Sequence, residues 1–282
     1  QEPKRLQIWK ESSKNFKVVD ANAKMDGKDV VLTANYLLAA GNLYIATYRI
    51  HPSGVVKADY IFTSTDLEAN KTEISEATLM ATFTPGNDAI RKQSSKLVVP
   101  RIGVRFRLPA EMNQVTYFGR GPEENYIDRN AGTFVGLYKN TADNMYFPYI
   151  RPQENGHHTD TRWLTLSKKG GKGLTIYADN TIGFNALRNS IEDFDGEEAT
   201  HRDYQWTNRN AKELEHDVET ARNIKPRHTH INDIRPRNFV EVCVDMKQMG
   251  VGGYDSWGAI PDPQYLIPAN KEYKWGFTIV PM

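Results

Sequence analysis

The chain has 282 residues, a formal net charge of +1 and 39% hydrophobic residues. Its length is ample for a sizeable core, and its balanced charge offers no electrostatic footprint for nucleic acid or an anionic membrane. No apolar run approaches the roughly 20 residues of a membrane-spanning helix, so a soluble chain is expected, with cytoplasm and periplasm equally compatible.

The first half reads as strands. Leu6–Trp9 and Phe16–Val19 are short β-prone runs, and the Asp26-Gly27 turn signal precedes a strand over Val30–Leu38. Gly41-Asn42 separates it from Leu43–His51, where Tyr44, Ala46, Tyr48 and Ile50 alternate with Ile45, Thr47, Arg49 and His51. Pro52-Ser53-Gly54 then turns into Val55–Thr63. Thr65–Ser75 is expected to be a loop. Further strands are expected at Ala77–Phe83, Lys96–Leu108 and Gln114–Phe118, with Pro100 marking an edge or a bulge. Arg162–Ser167 and Leu174–Ala178 flank Lys168–Gly173, which reads as a hairpin turn. A phosphate loop would need a Gly-Lys-Ser/Thr ending and a following helix, and both are missing. Ala211–Asn223 is the one convincing helix signal, with Leu214 and Val218 as a thin apolar stripe. Phe239–Met246 and Tyr273–Val280 close the chain as strands. So many strands must bury one face against another. An all-β antiparallel fold of two packed sheets, formed as a single domain over residues 1–282, is expected.

One cysteine, Cys243, excludes a disulfide framework and a cysteine-based metal cluster. Within the apolar run Phe239–Val244 it reads as a small buried hydrophobe. His157 and His158 are adjacent, so on a strand they point to opposite faces and cannot share a metal. His228 and His230 alternate onto one face, with Asp233 or His201 as conceivable third ligands. A polar strand face is the preferred reading, and no metal site is expected.

The stretch Tyr117–Trp163 concentrates aromatics, carboxylates and guanidinium groups among turn residues. Glu123, Glu124, Asp128, Glu154 and Asp160 lie in it. A glycosidase would need two such groups, roughly 5 Å apart in a retaining enzyme. The preferred reading is that they cap turns and pair with Arg120, Arg129, Arg151 and Arg162. No Gly-x-Ser-x-Gly elbow supports a hydrolytic triad. Later, glycines flank a tryptophan in Gly250–Gly258. That pattern suits a sugar-stacking platform and equally a core tryptophan behind a glycine-rich turn.

Taken together, several runs carry a resemblance. They are Pro100–Phe106, Tyr117–Arg129, Pro152-Gln153-Glu154-Asn155-Gly156, Thr161-Arg162 and Gly250–Trp257. In this order they resemble the C-terminal, small-chain-like domain of the large multidomain β-galactosidases of glycoside hydrolase family 2. The resemblance is clearest over residues 96–282. It implies a large antiparallel β-supersandwich of the galactose-mutarotase-like type. It also implies a separate (β/α)₈ barrel that holds both catalytic glutamates, a magnesium site and a sodium ion, leaving this chain without catalytic residue, metal or cofactor. An Asn-Phe-Trp-Arg-Ala-Pro-Thr-Asp-Asn-Asp-like run of the family is absent, and residues 1–20 look like the family's segment directly after that run. The chain is therefore expected to start inside the domain, without its first strands. Tyr254 stands where an acidic residue is common in the family.

By the same resemblance, Trp257 matches the family's tryptophan at the rim of the galactoside pocket. Asp255 and Ser256 are expected beside it. Tyr254, Glu154, Asn155, His157 and Arg162 are further substrate-binding candidates, while Arg120, Glu123, Asn125, Asp128 and Arg129 are expected to brace the loops. The implied parent is a β-galactosidase hydrolase acting with retention on terminal β-galactosides, a homo-oligomer in which this domain helps complete the pocket. The isolated chain is expected to be inactive. Two other readings stand beside it: an aldose 1-epimerase-like enzyme using Glu154 with His157 or His230, and a free-standing carbohydrate-binding module built on Trp257. The Tyr117–Trp163 stretch and the Trp257 loop are expected to share one loop-lined face.

Overall fold

The computed structural model describes residues 6–12, 14–38, 40–65, 74–81, 97–194, 231–253 and 260–282. Among these are eleven strands, β1 Lys17–Asp26, β2 Asp29–Leu37, β3 Asn42–Ile50, β4 Val56–Ser64, β5 Arg101–Pro109, β6 Gln114–Gly121, β7 Phe134–Thr141, β8 His158–Ser167, β9 Gly173–Leu187, β10 Phe239–Gln248 and β11 Tyr273–Pro281. Every pairing is antiparallel. The strand order is β1-β2-β3-β4-β11-β9-β8-β6-β7, with β10 joining β9 to β5.

The expected two sheets are one hydrogen-bonded set because β9, with β8 along one edge, is long enough to serve two further neighbours along the other. Its first half pairs with β11, from Leu174 opposite Pro281 to Ala178 opposite Phe277. Its second half pairs with β10, from Gly183 opposite Asp245 to Leu187 opposite Glu241. The set wraps a shared core, consistent with an all-β sandwich. Strand periodicity fills that core: Val115 and Tyr117 of β6, Leu164 and Leu166 of β8, and Val240, Val242 and Val244 of β10 are all buried, each two residues from the next. Each full burial of this kind contributes roughly 1.5–3 kcal/mol. Cys243, between two of these valines, is buried as expected, and burial pushes its thiol up to about 12.

The β2–β3 and β3–β4 hairpins lie where the turn signals put them. Lys168–Gly173 is the β8–β9 turn, closed by the Lys168 N–H to Lys172 carbonyl bond at 2.8 Å. Two expected strands are instead short helices. Helix α1, Gln7–Ser12, replaces the Leu6–Trp9 strand. Leu6 and Trp9, three residues apart, both enter a second core cluster with Phe62, Ile102 and Ile267, and that spacing is helical. Helix α2, Glu76–Ala81, replaces the strand at Ala77–Phe83, whose last two residues lie outside the described residues. Ser75 caps it, its hydroxyl accepting the Thr78 N–H at 3.2 Å. Strand β7 and the extension of β1 beyond Val19 were not expected. The helix expected at Ala211–Asn223 lies outside the described residues.

The second core cluster also sets the feet of the glycine-rich loop. Val99 N–H donates to Ile267 O at 2.8 Å, and Ala269 N–H to Leu97 O at 2.7 Å. Met249 is buried in this cluster, and its N–H donates to Pro100 O at 2.9 Å. Gly250 N–H then reaches Tyr265 O at 2.9 Å.

Candidate functional site

The site begins with the turn after β6. Asn125 is fully buried and uses its whole amide. Its Nδ2 donates to the carbonyls of Arg120 and Glu123, both at 3.0 Å. Its Oδ1 accepts from Thr159 N at 3.0 Å and from the Thr159 hydroxyl at 2.6 Å. The Asn125 N–H donates to His157 O at 2.7 Å. One residue therefore joins the turn to the start of β8. Arg120 extends the link, with Nε on Asp160 at 2.9 Å and Nη1 on the Thr133 carbonyl at 2.7 Å. Asp160 sits at a β-bulge with φ of 52°, a left-handed conformation that only a few non-glycine residues adopt.

Glu124 is the acidic brace, whereas Glu123 is exposed and contributes its backbone carbonyl. Glu124 accepts from the Gly156 N–H at 2.7 Å and pairs with Arg129 at 2.8 Å. It also accepts from the Tyr149 hydroxyl. Arg129 lies over the Tyr126 ring, 4.8 Å from its centre, so the two loops of the Tyr117–Trp163 stretch are clasped through one carboxylate. Sequence reasoning named the neighbouring glutamate, because two adjacent glutamates on a turn look alike until their partners are known.

Beneath this surface runs a buried polar network. Arg101 Nε donates to Asp245 Oδ2 at 2.9 Å, and its guanidinium also bonds Asn185 Oδ1. His157 Nδ1 lies 2.9 Å from Asn185 Oδ1 and 3.8 Å from Asp245, and its ring stacks on Tyr126. Burial, with the Arg101 charge beside it, holds the His157 pKa down at about 3. Burial also raises Asp245 to about 7, the Arg101 charge opposing and the Glu154 charge adding. His158 faces other groups, the carbonyls of Gly156 and Pro122 and the rings of Tyr117 and Phe184.

The expected substrate residues that are described lie on this face and in its interior. Glu154 is half-buried, 3.6 Å from Arg101. Asn155 and His157 are buried at 2% and 1% exposure and are spent on internal bonds. Asn155 binds the Phe147 backbone through both amide atoms, at 2.9 and 2.5 Å. His157, one histidine of the epimerase reading, is enclosed with its Nδ1 on Asn185; the other, His230, lies outside the described residues. Arg162 donates to the Asp160 carbonyl and lies 5.9 Å from the centre of the half-exposed Phe118 ring. Tyr254, Asp255, Ser256 and Trp257 lie outside the described residues, as do His201 and His228.

The base of the loop that carries Trp257 is described, and it meets the central stretch. Gly252 N–H donates to Asp128 Oδ2 at 2.7 Å. Asp128 is at the tip of the tight turn closed by Arg129 N–H to Tyr126 O at 2.8 Å. The face thus brings Asp128, Glu124, Arg129 and the Gly250 loop together. Cavities nearby are small: about 20 Å³ beside Glu154, Asn185 and Cys243, and about 40 Å³ beside Glu123, Glu124 and His158. A water needs roughly 10–15 Å³, but ligand pockets run from roughly 300 Å³ upwards. These cavities take water and not a sugar. Among the described residues no group of three or more His, Cys, Asp or Glu side chains gathers to hold a metal.

The chain is similar to known proteins along its whole length. A family model described as "Beta galactosidase small chain" matches residues 1–279. A β-galactosidase of Priestia megaterium is 31% identical over 233 residues, covering 80% of this chain and 19% of that protein. One from Streptococcus thermophilus is 30% identical over 184 residues, 65% of this chain and 15% of the relative. One from an Arthrobacter species is 40% identical over 102 residues, 34% of this chain and 10% of the relative. The chain therefore spans about a fifth or less of the length of these relatives. Among solved structures, an Aspergillus nidulans amine oxidase aligns with 95% of this chain and 37% of its own at 8% identity, with a TM-score of 0.31; a likeness that low carries no argument.

Proposed function

This chain belongs to the β-galactosidase small chain family, and on that premise we propose that it is the accessory sandwich of a β-galactosidase. In this reading the catalytic glutamates lie in a barrel domain outside this chain, and the Gly250 loop brings Trp257 to the rim of the galactoside pocket. The observation that carries it is the Gly252–Asp128 hydrogen bond. It ties the base of the tryptophan loop to the loop-rich face bearing Glu124 and Arg129.

The state of the carboxylates supports an accessory role. Glu124 is engaged by Arg129, Asp128 by Gly252, Glu154 by Arg101 and Asp160 by Arg120. A retaining glycosidase needs one carboxyl group free to attack and one to donate a proton. Carboxylates already held by guanidinium or backbone donors suit neither task. The small size of the cavities points the same way: the sugar is enclosed only when the barrel meets this face. The reaction of the whole enzyme is then hydrolysis of terminal β-D-galactosides through a covalent glycosyl intermediate, in an oligomer of the complete subunit. This domain's part is to exclude water and orient the ring.

The test compares the chain with the complete enzyme. The purified chain alone is expected to give no turnover of a chromogenic β-galactoside. In the complete enzyme, Trp257→Ala is expected to raise KM on the order of tenfold, as loss of one stacking contact would. Turnover by the chain alone, or an unchanged KM in Trp257→Ala, would overturn the proposal.

A further inference from the structure

Strand pairing sets four large apolar side chains in one row across the sheet. Leu137 on β7, Phe118 on β6, Trp163 on β8 and Tyr177 on β9 are direct cross-strand partners in turn. Direct partners in an antiparallel pair lie on the same face. Their chain neighbours Tyr117, Leu164 and Ile176 are buried in the core, so alternation turns the four away from it. Leu137 is 60% exposed, Phe118 38% and Tyr177 48%, and Trp163 is half-buried. The solvated face of such a sheet ordinarily carries polar side chains. Packing of the core therefore does not account for this row.

The row crosses three strand spacings, roughly 14 Å, and is narrow. On one side of it the paired residues Thr116 and Thr165 offer hydroxyls. On the other stand the Arg120–Asp160 ion pair and the Arg162 guanidinium, 5.9 Å from the centre of the Phe118 ring. A protein–protein interface buries about 800 Å² on each partner around a broad apolar centre, which a strip between two polar borders does not offer. Among the described residues no hydrogen bond engages the Trp163 indole N–H or the Tyr177 hydroxyl. Covered by an apolar partner, both groups would lose water without gaining an acceptor. A pyranose ring meets all of these features, because it presents C–H bonds on its faces and hydroxyls around its rim.

We infer that the Leu137–Phe118–Trp163–Tyr177 row is a carbohydrate-binding surface, on which successive pyranose rings of an oligo- or polysaccharide chain stack. The aromatic rings take the C–H faces of the sugar. The Trp163 N–H donates to a ring or hydroxyl oxygen, and the Tyr177 hydroxyl bonds at the sugar's rim. Thr116, Thr165 and Arg162 border the chain and bond its remaining hydroxyls. A glycan held in this way keeps its ends at high local concentration near the enzyme. The inference does not depend on where Trp257 stands.

The test is affinity electrophoresis of the complete enzyme in native gels that contain soluble β-galactan, β-glucan or xylan. Retardation by at least one of the three is expected. Trp163→Ala should weaken that binding on the order of tenfold, the scale of one lost stacking contact, and Tyr177→Ala about threefold. Tyr177→Phe keeps the ring and should retain most of the affinity. Thermal melting and the size-exclusion mass of each variant are measured alongside. Should Trp163→Ala fail to fold, Tyr177→Ala decides, because its side chain is half-exposed and its loss leaves the core untouched. No retardation of the wild type in any gel, or equal retardation of wild type and Tyr177→Ala, overturns the inference. A fall in assembly mass in Tyr177→Ala would show that a protein partner covers the row, and overturns it too.

Discussion

Arg101 Nε donates to Asp245 Oδ2 at 2.9 Å, where Asp245 is 1% exposed. The two lie on paired strands, β5 and β10, and the guanidinium is the carboxylate's charged partner. Removing one member of a buried pair strands the other charge. Arg101→Leu is expected to lower stability by roughly 3–5 kcal/mol, while Arg101→Leu with Asp245→Leu should regain much of it. Urea unfolding at neutral pH measures both. A single variant within about 1 kcal/mol of the wild type would show that the pair is solvated in practice.

The same network has a definite pH signature. His157 is held down at about 3 in the folded chain against an ordinary 6.5, so its contribution to stability is complete above 6.5 and is lost as pH falls toward 3. Asp245 is raised to about 7 against 3.8, so its contribution is complete below 3.8 and is lost as pH rises toward 7. The charged and titratable groups facing the pair are Arg101 and His158 for His157, and Arg101, Glu154 and Cys243 for Asp245. Between about pH 5 and 6.5 the two slopes, each about 1.4 kcal/mol per pH unit, oppose and cancel. Asp245→Asn should unmask the histidine, giving stability that falls as pH drops through this window. Unfolding curves collected across it check this; a variant as flat as the wild type refutes it.

Asn125 makes four side-chain hydrogen bonds at zero exposure. Asn125→Ala leaves the Thr159 N–H and two carbonyls without that partner, each at a cost of roughly 1–3 kcal/mol. A loss of about 3 kcal/mol or more is expected. Asn125→Asp should recover little, because it keeps the acceptor and loses both donors. Thermal melting of the two variants against the wild type decides the matter, and near-wild-type behaviour of Asn125→Asp would contradict the bonding described.

The two adjacent glutamates should behave differently. Glu124→Gln weakens the Arg129 pair and the bond from Gly156 N–H, and is expected to destabilise by roughly 1–3 kcal/mol. Glu123→Gln changes an exposed side chain and should stay within about 0.5 kcal/mol. Equal effects in denaturant titrations would show that the brace is shared.

Much of this protein is legible in its residues. Alternation in Leu43–His51 and Val55–Thr63 reports which side chains enter the core, because a strand's side-chain period is two whatever its partner. The runs around Tyr117–Arg129 and Gly250–Trp257 carry the family resemblance without any coordinates. Trp9 marks where local reading fails. Its β-prone neighbours suggest a strand, but Leu6 and Trp9 must both reach one apolar cluster, and a helical turn spaces them for it.

What the residues alone determined is therefore the class: an antiparallel β protein of the β-galactosidase family. The tertiary structure decided the assignments that depend on partners far away in the chain. It decided that Glu124 and not Glu123 turns inward, that Arg101 reaches Asp245 across 144 positions, and that Asp128 reaches Gly252 across 124. Local periodicity comes from a side chain's own backbone. A hydrogen bond between distant loops depends on how eleven strands pack, and no short window of sequence contains that information.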